Sequence, residues 1–241
     1  MSNTGISTSG AIPVNRWMQL FLGVICMVMI ANLQYGWTYF VDPMDARHHW
    51  GRTDIQIAFT IFVATETWLV PVEGWFVDRF GPRIVVMFGG IVVAIAWSLN
   101  SIATTLPMLY FGAALSGVGA GAVYGTCVGN ALKWFADRRG LAAGLTAAGF
   151  GAGAAATVVP IITVIRTYGY ESAFLWFGIG QGAVILALSQ FLKAPAPGEA
   201  PKAAPRFSQS LRDYTPGEML KTPIFWILYA MFVLVAARAS S

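Results

Sequence analysis

Glu66 lies at the midpoint of a 23-residue apolar stretch, residues 55–77. A helix of that length crosses the ~30 Å hydrocarbon core of a bilayer. A carboxylate halfway along such a helix is costly in hydrocarbon, so it normally faces a water-filled path or a partner charge. The placement predicts a membrane protein that moves polar solutes or protons, and it makes Glu66 the candidate proton-coupling residue.

Three interpretations of Glu66 stay open. Its carboxyl group is protonated at rest, because desolvation favours the neutral form, and it couples proton uptake to transport. Alternatively it pairs with a basic residue that these spans do not supply, or it is a neutral side chain hydrogen-bonded between helices. Glu73 lies seven residues further on, and thus on nearly the same helix face. Pro71, between the two carboxylates, is expected to bend the helix.

The composition places these residues in a helical membrane protein. Hydrophobic residues make up 56% of the chain and charged residues 11%, against about 25% charged in soluble domains. Strands of a membrane barrel are about 10 residues long, whereas the apolar blocks here have at least 20. The sequence therefore predicts an all-α membrane bundle over residues 17–192. Its six spans are predicted at residues 17–41, 55–77, 84–103, 108–132, 141–165 and 172–192.

The loop charges predict the orientation of this bundle. One set of loops carries eleven lysines and arginines, and the alternate set carries only Arg47, Arg52 and Arg166. By the positive-inside rule the basic set is cytoplasmic, so residues 1–16 form a cytoplasmic tail. That tail lacks the basic start and cleavage site of a secretory signal.

The last fifth of the chain departs from the six-span pattern. Residues 193–221 form a proline-rich linker, in which Thr215 and Glu218 make a capping box for a short interfacial helix. The next apolar run, residues 224–237, has 14 residues and reaches about 21 Å, less than a bilayer core. We therefore interpret residues 222–241 as the truncated start of a second bundle.

Two further patterns are structural or uninformative. Glycine recurs every four residues at 117, 121, 125 and 129, which predicts a groove where another helix approaches closely. Cys26 and Cys127 lie in separate spans, and the loop histidines His48 and His49 are adjacent, so neither pair indicates a disulfide or a metal site. We expect no metal, no cofactor, no nucleic-acid partner and no enzymatic activity.

The loop after the second span carries the strongest likeness to a known family. Residues 74–83, GWFVDRFGPR, resemble the G-x-x-x-D-R-x-G-R-R motif of the major facilitator superfamily. Within that superfamily the chain is similar to the oxalate/formate antiporter family. The likeness is carried by residues 34–38, 76–83, 124–125, 134–135, 139–142, 217–220 and 222–223. It implies the N-terminal half of the fold, a six-helix bundle built as a 3+3 inverted repeat.

The loop motif has its own physical logic. Gly74 removes a side chain where two helix ends meet, and Asp78 can accept hydrogen bonds from a helix N-terminus or pair with an arginine. Arg79 and Arg83 can bridge to carboxylates of a second half, on either side of Gly81. Such a charge cluster would hold one conformational state closed. The other interpretation is a solvated turn that satisfies the positive-inside rule.

The resemblance also implies a site at the membrane midplane. Tyr35 and Tyr124 match aromatic positions of the family's carboxylate pocket. Phe150 stands where the characterised antiporter of the family has Tyr, and Glu66 stands where it has Gln. Trp37 is a further pocket candidate, although an aromatic residue near the end of a span is often an interface anchor.

Three functions follow from these patterns. The first is a secondary transporter for small carboxylates of the oxalate/formate exchange type, in a bacterial inner membrane. The second is a proton-linked monocarboxylate carrier, for which Glu66 and Phe150 are support. The third, of another class, is a non-transporting fragment or assembly partner. In the first two cases a second half, or a second copy, must close the cavity.

Overall fold

The computed structural model describes residues 15–196, 198–201 and 216–239, and every regular element within those residues is an α-helix. The all-α prediction is therefore confirmed. In chain order, the helices are α1 Arg16–Tyr35, α2 Thr38–His48, α3 Arg52–Trp68, α4 Val70–Ser101, α5 Leu106–Trp134, α6 Arg139–Tyr168, α7 Tyr170–Ser189, α8 Pro216–Leu220 and α9 Pro223–Ala239.

Five of the described helices are long and apolar enough to cross a membrane: α1, α4, α5, α6 and α7. The difference from six predicted spans arises at the predicted second span, whose first part, α3, has only 17 residues. The predicted second span, 55–77, divides at Leu69 into α3 and the start of α4, two residues before Pro71. The predicted first span, 17–41, divides into α1 and α2 at the Gly36 turn, but α1 alone remains long enough to span.

Helix α4 consists of two limbs joined at Gly81. Gly81 has φ 79° and ψ 166°, a conformation that only glycine adopts readily. We call residues 70–80 the first limb and residues 82–101 the second limb. The predicted second span thus continues into the predicted third span with only one non-helical residue between them.

Helix α5 is the hub of the bundle. It packs against α4, α3 and α1, while α6 packs on α1 and α7 packs on the second limb of α4. Glycines make the closest of these approaches possible: a Cβ on Gly119 would lie 2.9 Å from the Val93 backbone nitrogen. Aromatic rings pack together in the interior: Phe40 stacks on Phe174 with ring centroids 4.0 Å apart, and Trp97 contacts Phe174 edge-on at 5.2 Å.

Polar contacts collect at the two ends of the bundle. At one end, side chains pair as Arg16 with Asp137, Lys133 with Asp78, and Arg83 with Gln190. At the opposite end they pair as Arg52 with Asp42, Arg47 with Glu171, and His48 with Tyr170. The loop residues therefore alternate between ends, as expected for helices that run up and down.

The start of α1 is fastened to the end of α7 by one buried amide. The Gln19 Nε2 atom donates to the Phe191 carbonyl oxygen at 3.0 Å, and the Lys193 backbone N–H donates to Gln19 Oε1 at 2.8 Å. Both satisfy a polar side chain that is only 2% exposed. The chain thus leaves the bundle beside the point where it enters.

Residues 204–241 form a separate compact unit. Its described part holds α8 and α9, and the Trp226 indole N–H donates to the Leu220 carbonyl oxygen at 2.9 Å. A short helix occupies residues 216–220, and Thr215, the predicted capping residue, lies outside the described residues. Helix α9 has 17 residues, about 25 Å of helix, slightly longer than the predicted apolar run.

Candidate functional site

Three aromatic rings converge where α1, α5 and α6 meet. Phe150 of α6 lies between Tyr35 of α1 and Tyr124 of α5, with ring centroids 5.4 Å away in both cases. Phe150 is 8% exposed, whereas Tyr35 is 50% exposed and Tyr124 38%. We call these three residues the aromatic cluster. Three of the four residues that the sequence suggested for substrate binding are thus brought together on an open face.

The cluster offers both hydrogen-bond donors and ring edges. Neither tyrosine hydroxyl has a hydrogen-bond partner among the described residues. A free phenol can donate to a carboxylate oxygen, and the positive edge of an aromatic ring also favours an anion. Phe150 adds an edge-on ring contact to Tyr124 but no hydroxyl of its own.

The fourth candidate, Trp37, lies in the bundle core. It is 5% exposed, and its ring neighbours are Phe59 at 6.4 Å and Phe174 at 6.5 Å. Its indole N–H is buried without a hydrogen-bond partner among the described residues. The structure therefore does not bring Trp37 to the aromatic cluster, because Gly36 turns the chain between α1 and α2.

Glu66 lies two residues before the end of α3, on the side that packs against the glycines of α5. A Cβ on Gly117 would lie 3.0 Å from the Glu66 backbone nitrogen, and one on Gly121 would lie 3.1 Å from its carbonyl oxygen. The Glu66 side chain is half-buried. We call the four glycines of α5 at four-residue spacing, Gly117, Gly121, Gly125 and Gly129, the ladder glycines. Two of them, Gly117 and Gly121, form the close-packing groove that the sequence predicted.

Glu73 is the more deeply buried carboxylate, which the sequence did not indicate. It is 8% exposed, and neither carboxyl oxygen has a hydrogen-bond partner among the described residues. The two oxygens lie 2.6 and 3.0 Å from the position of a Cβ on Gly121, and one lies 3.8 Å from that on Gly125. The one sequence signal for Glu73 was its seven-residue spacing from Glu66, which places both carboxylates on nearly the same helix face. The burial of the Glu73 side chain depends on the glycine groove of another helix, α5.

The motif loop forms polar contacts within this bundle. Asp78 pairs with Lys133 at the end of α5, at 2.8 Å, rather than with an arginine. Arg83 donates to the side-chain oxygen of Gln190. Arg79 lies over the rings of Trp75 and Phe80, 5.4 and 5.8 Å from their centroids.

The two glycines of the motif differ in their surroundings. Gly81 provides the positive φ that joins the limbs of α4. A Cβ on Gly74 would meet nothing within 4 Å. Of these two motif glycines, only Gly81 has a backbone conformation that favours glycine.

The described residues contain no group of three or more side chains suited to hold a metal ion. His48 instead shares a 2.7 Å hydrogen bond with the Tyr170 hydroxyl and stacks on Trp50 at 4.1 Å. The hydrogen bond joins the end of α2 to the start of α7, so the His48 imidazole has a structural role.

Comparison with known proteins fits this helical bundle and its loop motif. The sequence profile described as "Major Facilitator Superfamily" matches residues 15–240. The chain belongs to the major facilitator superfamily. Members of this superfamily are transporters rather than enzymes, and the chain is a multi-pass integral membrane protein.

Individual superfamily members are similar over most of the chain. The "Oxalate:formate antiporter" of Oxalobacter formigenes is 36% identical over 235 residues, 98% of this chain and 56% of that protein. The "Uncharacterized MFS-type transporter YhjX" of Escherichia coli (strain K12) is 27% identical over 90% of this chain and 54% of its own length. "Monocarboxylate transporter 11" of Homo sapiens is 30% identical over 66% of this chain and 36% of that protein. The chain thus spans about half the length of the curated relatives it matches.

Proposed function

We propose that this chain forms one helical half of a secondary transporter that exchanges small carboxylates by alternating access. The observation that carries the proposal is the aromatic cluster, which presents on an open face two phenol hydroxyls without a hydrogen-bond partner among the described residues. The 36% identity to an oxalate:formate antiporter supports that substrate class. We further propose a bacterial inner membrane and a cytoplasmic N-terminus, from the loop charges.

A second wall has to complete the cavity. No hydrogen bond or cation–π contact joins the cluster to a lysine or arginine among the described residues, so we expect the cluster to offer a carboxylate its phenols alone. The neutralising cations would come from a second copy of this chain or from another six-helix chain. In such an assembly the paired loop residues, Asp78 with Lys133 and Arg83 with Gln190, would brace one closed state.

Binding can be tested separately from transport. Oxalate should raise the melting temperature of the purified chain, or of its assembly, and Tyr124→Phe should weaken the apparent affinity about tenfold, since a hydrogen bond to a charged group contributes about 1.5–3 kcal/mol. Tyr168→Phe is the matched control, because Tyr168 is exposed and its ring neighbour is Trp176. Equal oxalate affinity in all three proteins would reject the cluster as the binding site.

Transport is tested in liposomes. Vesicles loaded with oxalate should take up labelled formate faster than protein-free vesicles if two copies assemble into a working transporter. No exchange from a well-folded preparation that nevertheless binds oxalate would favour the third function, an assembly partner or non-transporting fragment. No exchange and no binding would reject the carboxylate assignment.

A proton-linked monocarboxylate carrier is the second candidate. The similarity to "Monocarboxylate transporter 11" and the half-buried Glu66 favour it. In that case a pH gradient alone should drive uptake, and Glu66→Gln should flatten the pH dependence. An unchanged pH profile in Glu66→Gln would exclude Glu66 as the proton-coupling group.

A further inference from the structure

A deep apolar groove opens between the two limbs of α4 and helix α5. Its volume is about 420 Å³, within the range of small-ligand pockets. Glu73 contributes only its hydrocarbon stem, because its carboxyl oxygens are buried. We call this the limb groove. Its walls are formed by Leu69, Val72, Glu73, Phe76, Phe80, Ile84, Val85, Phe88, Val118 and Ala122.

At one end of the limb groove lies a cation, Arg79, that has no carboxylate partner in the part of the chain that the structure describes. Arg79 lies over the ring of Phe80, which itself lines the groove, and forms no ion pair among the described residues. The adjacent carboxylate, Asp78, is already paired with Lys133 at 2.8 Å. The N–H groups of Arg79 therefore remain available to an anion, with the nearest acidic side chain neutralised.

The dimensions of the groove select its occupant. Residues 69–80 extend about 17 Å along the helix axis, roughly half of the ~30 Å hydrocarbon core. One leaflet's acyl chain covers that distance. A helix of the same length is about 10 Å wide and would need about three times the available volume.

We propose that the limb groove binds one acyl chain of an anionic glycerophospholipid, whose phosphate accepts hydrogen bonds from Arg79. Arginine suits this role because its planar guanidinium binds phosphate oxygens in pairs and also stacks on aromatic faces, as it does on Trp75 and Phe80. The site needs no carboxylate substrate and no second wall. Its test is therefore independent of the proposed transport function.

Native mass spectrometry of the purified chain provides the test. The protein is released from detergent containing equal amounts of phosphatidylglycerol and phosphatidylcholine with identical acyl chains. We expect the anionic lipid to be retained with about a tenfold preference, because phosphatidylcholine carries the same phosphate together with a choline cation that repels the Arg79 cation. Arg79→Gln should abolish that preference, whereas Arg139→Gln, an exposed cation at the same end of the bundle, should retain it.

A second pair of variants tests the acyl chain. Val72→Trp, which fills the groove, should reduce the retention of both lipids, and Ile95→Trp, on an exposed surface of α4 outside the groove, should not. Equal retention of the two lipids by the wild-type chain, or an unchanged preference in Arg79→Gln, would overturn the proposal. So would a two-copy species that Val72→Trp dissociates without loss of lipid, since the occupant would then be a second copy.

Discussion

At the scale of single residues, the two carboxylates on α3 and α4 differ in how far the sequence could place them. The sequence singled out Glu66 because it divides an apolar stretch. It could not show that Glu73 is the deeper group. That depth arises only because Gly121 and Gly125 of α5 leave room for its side chain, and these glycines lie 48 and 52 residues further along the chain.

Glu73 is expected to lower the stability of the bundle. Its two carboxyl oxygens are buried without a hydrogen-bond partner in the described part of the chain, which costs about 1–3 kcal/mol or more. Glu73→Met, of similar shape, should therefore raise the free energy of unfolding by about 1–3 kcal/mol, measured by thermal unfolding in detergent. A lower melting temperature would mean that the carboxyl group has a partner in the folded protein, such as a bound cation.

The ladder glycines provide a matched pair for a packing prediction. A Cβ on Gly117 would overlap the Phe62 carbonyl oxygen and the Thr65 hydroxyl, whereas one on Gly129 would meet nothing within 4 Å. Gly117→Ala should destabilise the bundle by about 1–3 kcal/mol. Gly129→Ala should be neutral or stabilising by about 0.5–1 kcal/mol, because alanine favours the helix. Equal melting temperatures for the two variants would contradict close packing of α3 on α5.

At the scale of helices, α4 shows where apolar periodicity stops being informative. The sequence predicted two spans separated by a loop at residues 78–83. The structure contains one long helix with a single non-helical residue, Gly81. Conversely the predicted 55–77 span divides at Leu69. Apolar blocks give the amount of helix, but backbone breaks depend on local dihedral angles and on what each turn packs against.

The joint of α4 can be tested by two alanine substitutions. Gly81→Ala places a Cβ on a backbone with φ 79° and ψ 166°, which costs about 1–3 kcal/mol. Gly74→Ala, in the first limb, has open space around it and should gain about 0.5–1 kcal/mol. Unfolding curves of both variants check this difference. A Gly81→Ala variant as stable as the wild type would indicate that the limbs can join in another geometry.

At the scale of the whole molecule, the helical class could be predicted from the sequence. The alternation of loop charge could be read from it as well. The sequence also contained the aromatic candidates that α1, α5 and α6 bring together. It also suggested Trp37, which the structure places in the core. Tyr35, Tyr124 and Phe150 were singled out by the family resemblance alone. Their convergence depends on the packing of three helices, which no spacing pattern within one helix could have revealed.

The two ends of the bundle yield a prediction of topology. Asn15 precedes α1 and Ala194 follows α7, and the Gln19 contacts place these two ends side by side. In a variant lacking Cys26 and Cys127, single cysteines at positions 15 and 194 should react with an impermeant thiol reagent from the cytoplasmic side. A cysteine in place of Asp45, at the opposite end, should react from outside. Labelling of positions 15 and 194 from different sides would disprove the arrangement.

The bonds of Gln19 have a genetic corollary. The start of α1 and the end of α7 lie next to each other on one surface. A tandem gene could therefore encode two bundles in one polypeptide, joined by a flexible linker, without disturbing the interior of either bundle. Such a concatemer would fix the stoichiometry at two and make each bundle separately mutable. Any asymmetry between the two positions could then be measured directly.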